Sequence, residues 1–592
     1  MSYRLSFPEP EHRWMQVEAA FDDLPAAPLE LRMSRSSPGR YALHEFAKNV
    51  FDVRVTSAAG AALAVARPNP HQWTVTGHDG RVRVRYRVFG DRVDGTYLAV
   101  DTTHAHVNMP AALMWARGLE NRAVTVRFDP PAGSMWQVGT QLVPGPDAFT
   151  YSAANLQYLM DSPTELSAFD LRTFRLGDVP ASPLFRLVVH HTGSGAEIDG
   201  LVADVEKIVR EERGVFGEYP AYDNGTYTFI ADYVPWAGGD GMEHRNSTIL
   251  TSPTTVRGNR LGLLDTMAHE FFHSWNVERI RPRSLEPFNF DEANMSGELW
   301  LAEGFTSYYG PLVMLRTGLT HIDDFIGEMA DAINTVTNSP GRMLHTAEEM
   351  SRLAPFVDAA VSVDRTAFEN TYISYYTWGE ALGLGLDLAL RERSDGRLSL
   401  NDYMRALWRQ YGKPGGRAPG YVDHPYAIAD LKATLASVSG DARFADEVFS
   451  RFIQGHDVID YAQLLDLAGL VMRPALEGQA FAGLLRLQDG QGRVRVAGAV
   501  PSGSPAYDAG LEREDVIVSA GGTAISATAD FERVIRGHKP GDGVPLVFER
   551  RGRRVSSTLR LVADPRVEIV RAEAIGRTLS AGQRRFREAW LH

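Results

Sequence analysis

Residues 261–275 read Leu-Gly-Leu-Leu-Asp-Thr-Met-Ala-His-Glu-Phe-Phe-His-Ser-Trp. The run is mostly apolar and holds no proline, so it reads as a buried helix. Helical positions four apart share one face. His269 and His273 therefore aim the same way, and both imidazoles can grip one metal ion. Glu270 follows the first histidine and can act as general base toward water activated there. This is the zinc-hydrolase pattern, and it predicts one catalytic Zn²⁺. Two histidines and a glutamate inside an apolar helix need polar partners, which a metal supplies.

A catalytic zinc site needs a third protein ligand and an open position. The downstream glutamates within reach are Glu278, Glu286, Glu292, Glu298 and Glu303. Glu292 lies in the polar, loop-like Phe288-Asn-Phe-Asp-Glu-Ala-Asn. Glu303 lies in the apolar, helical Glu298-Leu-Trp-Leu-Ala-Glu-Gly-Phe-Thr-Ser-Tyr-Tyr. Helices hold a ligand more rigidly than loops, so context favours Glu303. The stretch before that helix contains Pro282 and Pro287 and reads as an inserted loop.

His269-Glu-Phe-Phe-His-Ser-Trp-Asn-Val-Glu-Arg-Ile-Arg-Pro, followed by Trp300-Leu-Ala-Glu-Gly-Phe-Thr-Ser-Tyr-Tyr, resembles the glycyl aminopeptidase family. These are gluzincin metallopeptidases, distant relatives of aminopeptidase N, and the resemblance covers nearly the whole chain. It implies an N-terminal β domain, a thermolysin-like catalytic domain and a C-terminal PDZ module. It also implies an aminopeptidase acting on peptides with a free N-terminus, preferring glycine and then alanine. Counting alone would favour Glu292 as third ligand: eighteen residues separate it from His273, the usual gap in the aminopeptidase N family.

Gly238-Gly-Asp-Gly-Met-Glu-His-Arg-Asn-Ser-Thr resembles the Gly-x-Met-Glu-Asn loop of those relatives. The resemblance gives Gly241, Met242 and Glu243 to substrate binding, with Glu243 pairing the free α-amino group. A carboxylate in a semi-enclosed site suits an ammonium. His244 stands where the relatives carry Asn. Tyr372-Ile-Ser-Tyr-Tyr-Thr-Trp-Gly resembles their Tyr-x-Lys-Gly segment, which assigns oxyanion stabilisation to Tyr376. A phenol is neutral at pH 7 and donates one directed hydrogen bond. Tyr375 is the adjacent competitor, and Trp378 replaces the lysine.

Along the chain, residues 1–170 show strand-like alternation, as in Arg81-Val-Arg-Val-Arg-Tyr-Arg-Val, and predict a β-sandwich-like domain. Residues 171–472 read as the thermolysin-like domain. It opens with a mixed α/β lobe in which strands flank the helical Val205-Glu-Lys-Ile-Val-Arg-Glu-Glu-Arg, and continues as a helical lobe from about residue 255. His190 and His191, on the first strand, read as structural or surface residues. Residues 476–565 resemble a PDZ domain through Gly503-Ser-Pro-Ala-Tyr-Asp-Ala-Gly-Leu, with Phe481-Ala-Gly-Leu-Leu as carboxylate-binding loop. Such a groove captures peptide C-termini by strand addition, or the module simply packs against the catalytic domain. Residues 566–592 form a charged, helical tail.

A net charge of -13 argues against nucleic acid as partner. Zero cysteines exclude disulfides and thiolate chemistry. No apolar run reaches membrane-spanning length. The N-terminus carries no signal peptide, so the chain as it stands reads as cytoplasmic, or as periplasmic or secreted if a signal was removed. Two rival functions remain: a PDZ-assisted endopeptidase on the same scaffold, and a non-enzymatic PDZ peptide-binding protein, which the intact histidine pair and Glu270 disfavour.

Overall fold

Alternation decides the first part of the fold. Strand Val82–Phe89 buries Val82, Val84, Tyr86 and Val88 and turns its arginines outward. It pairs with Trp14–Phe21 on one side and Val50–Ser57 on the other. The computed structural model describes residues 1–177, 182–359 and 362–592. Among the described residues, these strands belong to a seven-stranded sheet, and two four-stranded sheets complete the N-terminal β region.

The next unit is a five-stranded sheet. Strand Leu184–His191, helix Gly195–Phe216 and parallel strand Thr226–Tyr233 make a β-α-β crossover. Ser194 and Glu197 form a capping box on the helix, and Gly217, at φ 90°, ends it. The Gly-Met-Glu segment, expected to be a loop, differs. Asp240–His244 is an edge strand, antiparallel to Ser247–Ser252. Backbone pairing overrides the turn signal of its glycines, and it fixes Glu243 on the sheet.

The histidine helix, Val256–Phe272, follows. Thr255 caps it by accepting from the Gly258 amide, and Asn259 breaks its first turns with φ -150°. Phe271, Phe272 and Trp275 anchor it in the core, with Trp275 stacked on Phe216 at 4.6 Å. Residues 274–298 are mostly irregular. Leu299–Ala302 and Gly304–Arg316 then form a near-continuous glutamate helix, with Glu303 at the junction in αR geometry. The tyrosine helix, Tyr375–Arg393, crosses it at Gly304 and Gly379. A Cβ on Gly379 would collide with the Trp300 carbonyl, so the helices touch backbone to backbone.

A C-terminal PDZ domain has its own core, built around Val494, Ile517, Phe531, Leu546 and Phe548. The chain leaves the helical lobe through Leu470–Pro474 and returns through Val567–Arg571, and these strands pair antiparallel. The tail ends in helix Ala581–Leu591, which buries Trp590 and Leu591 against the helical lobe. Among the described residues, no helix is long and apolar enough to cross a membrane.

Candidate active site

The histidine helix ends at Phe272, so His269 lies in its last turn and His273 is its C-cap residue. Their rings lie 4.8 Å apart. Glu303 Oε2 is 3.5 Å from His269 Nε2 and 3.2 Å from His273 Nε2. A tetrahedral ion with bonds of about 2.0–2.2 Å has ligand-to-ligand edges of about 3.3–3.6 Å. The donor set therefore has the chemistry and spacing of a divalent-metal site. Glu292 is solvent-exposed and joins no such cluster among the described residues.

The ligand atoms are held from behind. His273 Nδ1 donates to the Asn276 carbonyl, which leaves Nε2 facing the cluster. The Asn276 side chain donates to the Leu301 and Ala302 carbonyls, each at 3.1 Å, tying the two helices together. Tyr41, from the N-terminal region, donates to Glu303 Oε1 at 2.5 Å and leaves Oε2 to the imidazoles. Its neighbour Arg40 pairs with Asp240 and faces Asp358 at 3.9 Å. Gly39 (φ 78°) lies so close to Met242 and Glu243 that no larger residue fits.

Glu270 is buried, and its Oε2 has no hydrogen-bond partner. Its other oxygen crowds Gly241, where a Cβ would strike it. That contact explains the glycine. Glu243, Glu270 and His273 each offer a ligand atom within 4.8 Å of the others. Burial pushes the Glu270 and Glu243 carboxyls up, against the pull of the histidines. Burial would also raise Glu303, yet His273 and His269 outweigh it and hold that carboxyl well below its usual range. Three carboxylates around two imidazoles create a strong demand for a cation.

Tyr376 lies in the first turn of the tyrosine helix, with its ring 6.1 Å from that of His269. Tyr375 stacks on it at 4.7 Å but is itself buried against Tyr41. Tyr376 is therefore the more accessible of the two. The structure thus brings His269, Glu270, His273, Glu303, Gly241, Met242, Glu243 and Tyr376 to one place. Sequence reasoning missed Gly39, Arg40, Tyr41 and Asn276. The first three lie more than 200 residues upstream with no periodic or motif signal, and Asn276 reads as an ordinary polar residue.

Comparison with known proteins agrees with this layout. Residues 2–168 match the Peptidase M61 N-terminal domain, 262–382 the M61 glycyl aminopeptidase domain and 483–561 the PDZ domain. The crystal structure of an aminopeptidase N family protein from Idiomarina loihiensis superposes with a TM-score of 0.80 at 21% identity, covering 100% of both chains. Aminopeptidase B of Rattus norvegicus is 27% identical over 268 residues, 44% of this chain and 38% of its own length. Serine protease Do-like HtrA of Lactococcus lactis subsp. cremoris is 24% identical over 159 residues, 25% of this chain and 39% of its own. The chain thus spans about two fifths of the length of these curated relatives. With the His269–Glu303 cluster inside the matched catalytic segment, the chain belongs to the M61 glycyl aminopeptidase family and carries a PDZ domain behind the peptidase fold.

Proposed function

We propose that this chain is a zinc aminopeptidase that removes N-terminal glycine, and secondarily alanine, from peptides. The observation that carries this reading is Glu243. It lies beside Glu270 and His273, so an ammonium held there sets the first peptide bond at the base and the histidines. A chain fixed by its α-amino group is cut one residue in. The space beside Glu243, walled by Gly39, Tyr41, Val277 and Glu278, measures about 30 Å³. None of His269, Glu270, His273, Glu303 or Tyr376 lines it, so the preference for glycine rests on the family resemblance.

His269, His273 and Glu303 would hold the ion. Zn²⁺ bound there acidifies water and polarises the scissile carbonyl. Glu270 takes a proton from the attacking water at Oε2, the unpartnered oxygen, and delivers it to the leaving amine. Tyr376 donates its phenolic hydrogen to the developing oxyanion. Tyr41 fixes the Glu303 carboxylate so that one oxygen faces the histidines.

In the PDZ domain, a groove of about 730 Å³ runs past Phe481–Leu485, Phe531 and Ile535. We assign it to extended peptide C-termini, which would add a strand beside Leu487–Gly490.

Aminoacyl fluorogenic substrates with free and acetylated amines test the main reading. Glycyl substrates should outperform leucyl ones, and acetylation should abolish cleavage. Glu243→Ala should raise KM and lower kcat together, because the anchor also orients the carbonyl. Internal cleavage of acetylated peptides as fast as of free ones would replace the aminopeptidase with an endopeptidase.

A further inference from the structure

A second cluster of metal-ligating side chains lies apart from the first, where the N-terminal β region meets the peptidase sheet. Strand His104–Val107 pairs with Thr164–Ser167 and brings His104 and Glu165 to one surface. Strands Leu184–His191 and Thr226–Tyr233 run parallel with His190 directly opposite Asp232. The two strand pairs face each other, and the four side chains meet between them. Each offers one ligand atom, all within 4.8 Å of one another. His104 and Glu165 are 0% exposed and Asp232 is 1% exposed.

We propose that His104, Glu165, His190 and Asp232 form a second, structural divalent-metal site of zinc type that locks the N-terminal region to the peptidase sheet. The spacing argues for it. His104 Nδ1 is 3.5 Å from Glu165 Oε1 and 3.4 Å from Asp232 Oδ1. His190 Nδ1 is 3.0 Å from Asp232 Oδ1 and 4.0 Å from Glu165 Oε1. These lengths straddle the tetrahedral edge of about 3.3–3.6 Å. They also bracket the 3.2 and 3.5 Å edges of the His269–His273–Glu303 cluster.

The competing arrangement is a pair of imidazolium–carboxylate contacts. Charged pairs of that kind close to about 2.7–2.9 Å and satisfy their atoms. His190 and Asp232 do share a 3.0 Å hydrogen bond. The other half does not fit: neither nitrogen of His104 and neither oxygen of Glu165 makes any hydrogen bond, although all four atoms are buried. Leaving such groups unpaired is costly, and one cation among them satisfies Nδ1 and both carboxylates together. Asp101 Oδ2 lies 3.6 Å from His104 Nε2, and His106 Nδ1 lies 3.7 Å from Asp232 Oδ2, both beyond hydrogen-bond reach. Both nitrogens of the buried His106 are likewise unpartnered. Two imidazoles and two carboxylates form a closed, charge-neutral four-ligand set for a divalent ion, which suits structure rather than catalysis.

The test counts metal on the untagged full chain, stripped with chelator, reloaded with Zn²⁺ and freed of excess. The parent should bind two ions. His273→Ala/Glu303→Ala should bind one, and His104→Ala/Glu165→Gln should also bind one. Combining all four substitutions should leave none. Co²⁺ titration of His273→Ala/Glu303→Ala gives a decision that does not depend on the His104 pair folding. It should saturate at one equivalent with the visible bands of four-coordinate cobalt, and Zn²⁺ should raise the Tm of that variant. A His273→Ala/Glu303→Ala protein that binds no metal and shows no thermal response overturns the site. So does a residual ion that persists when His104 and Glu165 are replaced in a folded protein.

Discussion

Glu303 divides its two oxygens between two tasks. Oε2 faces both histidines, and Oε1 accepts from Tyr41. This division makes three expectations concrete. Glu303→Ala should lose the catalytic metal and the activity together, whereas Glu292→Ala, an exposed position, should keep both; metal analysis alongside turnover checks this. Tyr41→Phe should keep the fold but weaken metal affinity about 10- to 100-fold, the usual effect of losing a group behind a ligand, read by competition with a chelator. Glu270→Gln should retain metal and lose about three orders of magnitude in kcat, since proton transfer and water orientation go together. Near-normal turnover in that variant would remove Glu270 from the mechanism. At this scale the motif residues were legible because helical geometry turns the spacing of His269 and His273 into a shared direction. Glu303 was legible through the apolar helix around it. Tyr41 was not, since only the packing of the N-terminal region against the peptidase fold brings its hydroxyl to Glu303.

Elements carry a second kind of information. Apolar runs of helical length reveal helices, and Val256–Phe272 and Gly304–Arg316 overlap the runs at 261–275 and 298–309. Strand Asp240–His244 was hidden, because Gly238, Gly239 and Gly241 signal a turn while the pairing that makes it a strand is with Ser247–Ser252. Its Gly241 is set by the Glu270 carboxylate, a constraint visible only in three dimensions. The crossing of the glutamate and tyrosine helices depends likewise on Gly304 and Gly379. Gly379→Ala would drive a methyl into the Trp300 carbonyl, and the tyrosine helix would have to move away. Overpacking of this kind costs about 1–3 kcal/mol. Because that helix carries Tyr376 at its first turn, kcat should fall while metal binding, whose proposed ligands lie on the other two helices, is retained. Unchanged denaturant midpoint and unchanged kcat would show that the crossing relaxes without consequence for the site.

The whole molecule closes through its last residues. The sequence identifies the final stretch only as charged and helical, because a single tryptophan near the end does not announce its partner. In the structure, Trp590 is fully buried, packs edge-on to Phe325 at 5.7 Å and donates through Nε1 to the Tyr308 hydroxyl at 2.9 Å. Tyr308 in turn donates to Asp387, which pairs with Arg391. Arg391 and Arg316 reach back to the Ala589 and Trp590 carbonyls at 2.7 and 2.6 Å. The tail thereby bridges the glutamate and tyrosine helices from behind the site. It also fixes the return path of the PDZ domain, whose other contacts include Glu369 with Arg486 and Arg513, Arg365 with Glu514, and Asn370 with the Val500 carbonyl. Trp590→Ala should remove a large buried side chain and leave Tyr308 with one partner fewer, at a cost of about 3–5 kcal/mol. The expected result is a lower urea midpoint, with early proteolysis between residues 566 and 592. Turnover of small glycyl substrates below the transition should change little, since no ligand or substrate contact is touched. An unchanged midpoint would mean that strand pairing between Leu470–Pro474 and Val567–Arg571 holds the tail without help from the helix.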